Sequence, residues 1–401
     1  MPPPLRLLVL NQYYAPGIEA TAQLLTELCE GLATEYDVTV VTGRLRGHPE
    51  LPRRESRNGV NVIRVSSTAF DRAPFSQRSA NYLTYLGLAT LRALGARRPD
   101  IVLCMTDPPI VGDVALLVAR RFRAPLVVIS EDVFPEIAVE LKRLEHPALV
   151  GLLGRLTRYY LRRADRVVAI GETMEERLEA KGVSSKRIRV IPNWVDTHAI
   201  TPQPRDNQWA RDNDLVGRFV VMHSGNVGHA QDLGNLIRAT TFLRDVDELT
   251  AVIVGFGARH ADHVALATQL DADAVRFLPY QPREVLAQSL SSADVHFIGL
   301  GRGLSGYVVP SRFYGVLAAG RPVITAADED SEAARVVRAV GCGIAIAPGR
   351  PDELARTIRA LIAGEYDLEE MGRRGRQYVE EEADRDVAIG RYRNVLAEVR
   401  E

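Results

Sequence analysis

The sequence predicts an α/β protein of two domains in tandem, each a parallel β-sheet covered by helices on both faces. Three observations lead there. The chain has 401 residues, too many for one comfortable core and suited to two. Short apolar runs alternate with amphipathic helical stretches, the pattern of a parallel sheet wrapped by helices. A polar, proline-bearing stretch, Thr197 to Asp214, interrupts that alternation near the middle.

The first series opens with the apolar run Leu5 to Leu10, a Pro16-Gly17 loop and an amphipathic helix over about Ala20 to Ala33. Strands follow at Val38 to Thr42, Val60 to Val65, Ile101 to Met105, Leu126 to Ile129 and Arg166 to Ile170. The second series has strands at Phe219 to His223, Thr250 to Val254, Val275 to Leu278, Val295 to Ile298, Pro322 to Thr325 and Gly343 to Ala347. Helices alternate with them at about Asp232 to Phe242, Arg283 to Ser291 and Ser311 to Ala319. The expected division is a Rossmann-like domain over 1–195, a linker over 196–214 and a second Rossmann-like domain over 215–376. A helix over 377–401 is expected to pack back on the first domain. Such sheets bind ligands at the carboxyl ends of their strands.

Composition narrows the function. With 46% hydrophobic and 25% charged residues the chain is of the globular class. A net charge of -1 argues against an electrostatic grip on nucleic acid. The charge is uneven: up to Val195 there are 27 Lys and Arg against 21 Asp and Glu, and beyond it 23 against 30. Cys29, Cys104 and Cys342 are widely spaced, without a Cys-x-x-Cys pair, as suits a reducing cytoplasm. The N-terminus lacks the pattern of a secretory leader, and no run reaches the roughly 18 apolar residues that span a bilayer.

Two segments suggest an anion site. His223-Ser-Gly-Asn-Val-Gly228 follows a strand and precedes a helix, so its small residues bring backbone N–H groups close to a ligand at a helix N-terminus. An ordinary tight turn explains it equally well. Val308 to Ile324 sets Ser311 and Arg312 at a helix start, where a hydroxyl, free N–H groups and a guanidinium converge on a diphosphate. Structural punctuation explains Gly320 and Pro322, but not a cation at an already positive helix end. In the first domain Glu131 and Asp132 end an apolar strand, with Glu136 one loop further on. A carboxylate there orients an acceptor hydroxyl or steadies developing positive charge; an acidic helix start is the plainer reading.

Read in order, the motifs resemble the retaining GT-B glycosyltransferases of family 4, the group 1 family. They are Asn11-Gln-Tyr-Tyr-Ala-Pro-Gly17, Thr106-Asp-Pro-Pro109, Asp132-Val-Phe-Pro-Glu136, Ile191-Pro-Asn-Trp-Val-Asp196, Gly225-Asn226, and Pro310 to Pro322. The nearest likeness is to the N-acetylfucosaminyl- and N-acetylhexosaminyl-transferases of surface-polysaccharide assembly. The resemblance implies two facing Rossmann-like domains with a cleft between them. It also implies transfer from a UDP-sugar, without a metal or other cofactor, to a saccharide acceptor, lipid-linked at the inner face of the cell membrane.

Carried over by position, Gly225 and Asn226 lie beside the diphosphate and Ser311 and Arg312 clamp it. Tyr280 and Gln281 meet the uracil, and Pro16 and Gly17 approach the phosphates or sugar from the first domain. Asp132, with Glu131, is the catalytic candidate. In one respect the chain departs from the family. Two glutamates are usual where Tyr307 and Gly315 stand here, and Glu332 matches a further acidic position that meets the donor.

Other patterns carry less. Asp-x-Asp occurs at Asp212/Asp214, Asp245/Asp247, Asp271/Asp273 and Asp328/Asp330, mostly in polar loops where solvated acids are routine. His260 and His263 have helical spacing but no third ligand nearby. Gly255 and Gly257 form part of a dinucleotide-binding fingerprint whose third glycine is replaced by His260. They seed an alternative reading, an NAD-dependent oxidoreductase. The missing glutamate pair seeds another, a non-catalytic sugar-nucleotide-binding subunit. Finally, Gly151 to Arg163 is basic and amphipathic, with Arg155, Arg158 and Arg162 at helical spacing, and Tyr82 to Arg98 is similar. Both suit peripheral contact with an anionic bilayer, and equally a core-packed helix with a solvated face.

Overall fold

A computed structural model of the chain describes residues 3–17, 19–48, 50–70 and 75–400. It divides into two compact units, Met1–Pro192 with Asp386–Glu401, and Asn193–Arg385.

The first unit runs β1 (Leu5–Leu10), α1 (Ala20–Leu32), β2 (Tyr36–Thr42), β3 (Arg54–Arg57), β4 (Val60–Arg64), α2 (Phe75–Leu94), β5 (Ile101–Met105) and α3 (Val111–Phe122). It continues through β6 (Leu126–Ser130), α4 (Glu136–Glu140), α5 (Pro147–Leu161), β7 (Arg166–Ala169), α6 (Glu172–Ala180) and β8 (Ile188–Val190). Its eight strands lie in the order β3-β4-β2-β1-β5-β6-β7-β8. All pairs are parallel except β3 with β4. The central strands read as continuous apolar runs because helices cover both faces, and every residue of β5 and β6 is buried.

Strand β3, Arg-Glu-Ser-Arg, escapes the sequence reading because it is a polar edge strand paired on one side only. The buried Arg64 ties it down, donating to Glu55 Oε1 at 2.7 Å and to Ala15 O at 2.7 Å. Strand β8 also goes unread, three residues being too few to show a period.

The second unit runs α7 (Gln208–Asp212), β9 (Phe219–Ser224), α8 (Leu233–Thr240), β10 (Leu249–Val254), α9 (His260–Gln269), β11 (Val275–Leu278), α10 (Arg283–Ser291) and β12 (Val295–Gly299). It closes with α11 (Arg312–Ala318), β13 (Val323–Ala326), α12 (Glu332–Val340), β14 (Gly343–Ile346), α13 (Pro351–Ile362) and α14 (Leu368–Glu382). Six parallel strands lie in the order β11-β10-β9-β12-β13-β14. The last helix, α15 (Arg385–Glu398), packs on the first unit. There Arg393 donates to Gly31 O at 3.1 Å, and Glu398 accepts from Arg166 at 2.9 Å and Arg189 at 2.7 Å.

The stretch expected to be a linker, 196–214, is instead part of the second unit. Its polar residues satisfy one another and the sheet: Arg205 pairs with Asp294 at 2.7 Å, and Asn207 caps α7 by accepting from Ala210 N at 3.1 Å. Its apolar residues supply core. Trp209 is 6% exposed and packs with Leu215, Val220, Met222 and Val254, while its indole N–H donates to Gln281 Oε1 at 2.8 Å. Among the described residues no helix is long and apolar enough to cross a membrane.

Trp209→Ala is therefore expected to destabilise the second unit by about 3–5 kcal/mol, as loss of a large buried aromatic does. Denaturant unfolding followed by circular dichroism measures it. A loss within about 0.5 kcal/mol, as at an exposed site, would mean that the segment contributes no core.

Candidate functional site

Strand β9 sits where the strand order of the second sheet reverses. From β9 the chain passes through α8 to β10 on one side, and later returns as β12 on the other. Crevices at such points, at the carboxyl ends of the strands, are where open α/β sheets hold ligands.

The turn after β9 extends the sheet's hydrogen bonding. Gly225 N donates to Val254 O at 2.9 Å and Val227 N to Phe256 O at 3.0 Å. The neighbouring turn can lie this close only because it carries glycine. A Cβ on Gly255 would stand 2.0 Å from Gly225 O, and one on Gly257 would stand 2.3 Å from Val227 O. Gly255 has φ +131°, a conformation that disfavours any side chain. The Gly-x-Gly that resembles a dinucleotide fingerprint is thus explained by two turns packed backbone to backbone. That removes the one motif on which the oxidoreductase reading rested.

Arg312 crosses this floor. Its Cδ would be 3.4 Å from a Cβ on Gly225, whose φ of +141° again suits glycine. The guanidinium makes one long bond, Nη2 to Gly299 O at 3.4 Å, and its buried Nε has no hydrogen-bond partner among the described residues. No carboxylate pairs with it there, and burial pushes it down to about 10. Two buried imidazoles lie close by. Burial, then the Arg312 charge, holds His223 well below its ordinary value; burial takes His296 down to about 4. Both are neutral at neutral pH and add nothing to the charge of Arg312. Ser311 precedes α11 and makes no side-chain capping bond. The arrangement is a held cation with donors to spare beside a backbone floor without side chains, which suits a phosphate.

Because all six strands are parallel, the other expected donor contacts end on the same edge. Asn226 is exposed beside Gly225, and its carbonyl lies 3.3 Å from His223 Nε2. Glu332 is half-buried at the start of α12, after β13. Tyr280, 51% exposed, follows the edge strand β11. Gln281 is already engaged: its oxygen accepts from Trp209 and its nitrogen donates to Pro279 O at 2.8 Å. Tyr307 is half-buried in the loop between β12 and α11. A Cβ at Gly315 would face Leu290 and Ile200 at 3.8 and 3.9 Å, apolar neighbours that offer a carboxylate nothing.

Sequence reasoning missed Phe256. It is 71% exposed in the turn after β10 and stacks on His260 with ring centroids 4.7 Å apart. The available signal was a large aromatic inside a Gly-x-Gly turn. Of the Asp-x-Asp residues, Asp214, Asp247, Asp271 and Asp273 line a cavity of about 420 Å³ at the amino end of the second sheet, the edge opposite the crevice. Among the described residues no three His, Cys, Asp or Glu side chains are grouped to hold a metal ion.

In the first unit the turns after β1, β5 and β6 share the carboxyl edge. Gln12 N donates to Asp107 O at 3.0 Å, joining the first two. Pro16 is exposed and Gly17 half-buried, the latter closing a turn onto Tyr14 O at 3.0 Å. The hydroxyl oxygen of Thr106 accepts from Glu131 N at 3.1 Å and Asp132 N at 3.5 Å. The two acids then part: Glu131 is buried, while Asp132 is open to solvent. Surrounding protein pushes the Asp132 carboxyl up to about 6. Its contact with water opposes that rise, and with either value it is ionised at neutral pH. The same loop is anchored by Lys181, whose buried ammonium donates to Phe134 O at 3.0 Å and to both Glu136 oxygens at 2.7 Å. Glu136 is thus committed to an ion pair, and of Glu131, Asp132 and Glu136 it is Asp132 that faces solvent.

A glycosyl transferase 4-like domain model matches residues 19–194, and the glycosyl transferases group 1 model matches residues 206–378. The chain is 28% identical over 279 residues to the glycosyltransferase WbjE of Pseudomonas aeruginosa, covering 69% of each. It is 26% identical over 239 residues to WcaI of Escherichia coli K12, a colanic acid biosynthesis glycosyl transferase, covering 58% of this chain and 57% of that one. Among solved structures, Anabaena HepE in complex with UDP-glucose is similar with a TM-score of 0.74 at 17% identity, over 98% of this chain and 100% of that one. Both halves being matched, the chain belongs to the group 1 glycosyltransferases, enzymes of the GT-B fold with a glycosyl transferase 4-like first domain.

Proposed function

We propose that the protein is a retaining, metal-independent transferase acting in cell-surface polysaccharide assembly. It moves an N-acetylhexosamine or 6-deoxyhexosamine from a UDP-sugar to a saccharide acceptor. The observation that carries this reading is Arg312: a half-buried arginine whose buried Nε lacks a hydrogen-bond partner and which pairs with no carboxylate among the described residues, laid over Gly225 at the switch point of the second sheet. A diphosphate supplies the missing counter-charge. The relatives support the setting, since HepE was solved with UDP-glucose and WcaI bears the name of a colanic acid transferase.

In this reading Gly225, Asn226, Ser311 and Arg312 hold the diphosphate, Glu332 meets the sugar or ribose, and Tyr280 with Gln281 borders the uracil. Gln281 reaches the base through its backbone, its side chain being engaged by Trp209. As the bond from the anomeric carbon to the leaving phosphate oxygen breaks, Arg312 stabilises the charge that develops on the phosphate. The acceptor oxygen forms its bond to the same face of that carbon and passes its proton to the departing phosphate, which preserves configuration. Asp132 orients the acceptor hydroxyl and steadies the cationic sugar, Glu131 lies buried behind it, and the Pro16-Gly17 turn approaches the transferred group. The acceptor is lipid-linked, and the enzyme works on the cytoplasmic leaflet as a peripheral protein.

Three measurements test the reading. In a thermal-shift panel, a UDP-sugar raises the melting temperature, and Arg312→Ala weakens UDP by about tenfold or more, the loss of one charge-assisted bond pair. Unchanged UDP affinity in that variant would sink the assignment. For Asp132, kcat/KM falls as pH drops through about 6, because the carboxylate is the active form and protonation removes it. Asp132→Asn abolishes that limb and lowers kcat by about 100-fold while sparing UDP affinity; equal losses would make its role structural. Activity persists in EDTA, and dependence on added Mn²⁺ would refute metal independence.

A further inference from the structure

The transfer chemistry leaves unused a concentration of cations on two neighbouring helices of the first unit, α3 and α5, which pack against each other. Between Val114 and Pro125, and between Pro147 and Arg163, there are seven arginines and no acidic residue. None of the seven forms an ion pair among the described residues; elsewhere some surface arginines do, as Arg359 with Asp245 and Arg373 with Glu370.

Three of them surround a cavity of about 380 Å³ at the C-terminal ends of the two helices. Arg120, Arg123 and Arg163 are exposed at its rim, and buried Leu116, Ala119 and Leu126 form its floor. The one acid lining it, Asp165, uses Oδ2 to accept from Leu126 N at 2.8 Å. Tyr159 holds two of the guanidiniums together. Arg163 stacks 3.9 Å from the ring centroid, and Arg120 Nη1 donates to the phenol oxygen at 3.0 Å. Like charges gathered without a counter-charge repel, so an anion that bridges them is favoured.

The negative ends of the helices attract cations to their last turns. They do not account for the leucines alongside. Leu117 and Leu152 are 51% and 52% exposed on the same two helices. Phosphate-binding arginines interleaved with exposed leucines are the chemistry of a surface that meets a charged headgroup layer and the acyl chains beneath it. Nucleic acid would satisfy the arginines and leave the leucines in water.

We propose that this face docks on an anionic lipid bilayer, with a lipid phosphate seated among Arg120, Arg123 and Arg163 and with Leu117 and Leu152 at the acyl boundary. It deepens the reading of a lipid-linked acceptor, on which it rests, by naming the surface that meets the membrane.

The test is sedimentation of the full chain with vesicles of phosphatidylcholine alone, and of phosphatidylcholine mixed with phosphatidylglycerol. The protein is expected to bind the mixed vesicles and not the neutral ones. R120Q/R163Q should weaken binding about tenfold or more, since each cation near an anionic surface adds to the attraction. Arg356→Gln, an exposed arginine of the second unit, should bind as the parent does, and circular dichroism melts show whether each variant is folded. Equal binding by the parent and R120Q/R163Q, or no preference for mixed vesicles, overturns the proposal. So does stabilisation of the parent by glycerol phosphate without vesicle binding, which would make the ligand a soluble phosphate. No step reads transfer, so vesicle binding without any UDP-sugar effect would leave the docking face standing and remove the donor assignment.

Discussion

The contact between the backbones of Gly225 and Gly255 is the constraint from which the second unit's site follows. Two adjacent strands end in turns that continue their hydrogen bonding, and at 2.0 Å from Gly225 O there is no room for a Cβ on Gly255. The turn after β9 is thereby pressed flat and has no side chain at Gly225. Onto that bare floor the chain lays Arg312, a cation that forms no ion pair among the described residues and lies near two imidazoles kept neutral by burial. A guanidinium in such a place costs free energy unless an anion completes it. The glycines and the arginine are parts of one device.

The first unit solves a different problem with the same architecture. At its carboxyl edge an exposed carboxylate, Asp132, stands on a loop fixed from both sides. Thr106 gathers the two backbone N–H groups at Glu131 and Asp132, and Lys181 ties down the far side of the loop through Phe134 and Glu136. Three acids close together in sequence therefore have three fates. Glu131 is buried, Glu136 is paired, and Asp132 is left open. The same sheet carries on α3 and α5 an outer surface of exposed leucines and of arginines that form no ion pair among the described residues, chemically unlike the carboxyl edge.

The central strands and most helices were legible in the sequence, because a doubly covered parallel sheet demands continuous apolar runs and its helices demand amphipathic ones. What escaped was local and polar. Strand β3 is an edge strand with hardly an apolar residue, and the segment 196–214 has the composition of a linker although Trp209 and Leu215 enter the core. Periodicity reports how a segment faces its own core. It is silent where a strand has no buried face or where one tryptophan carries a segment's packing.

By itself the sequence determined the fold class, the tandem arrangement, and the placement of Ser311, Arg312, Gly225 and Asp132 at strand ends and helix starts, since these follow from chain order and residue type. Only the tertiary structure decided which of those groups stay available. Gln281 is taken by Trp209 and Glu136 by Lys181, both partners remote in sequence, while Arg312 has no carboxylate partner among the described residues. It also decided that Gly255 and Gly257 serve backbone packing rather than a dinucleotide. The reason is physical: residue type sets what a side chain can bond to, whereas the neighbours brought to it by the fold set whether those bonds are already made.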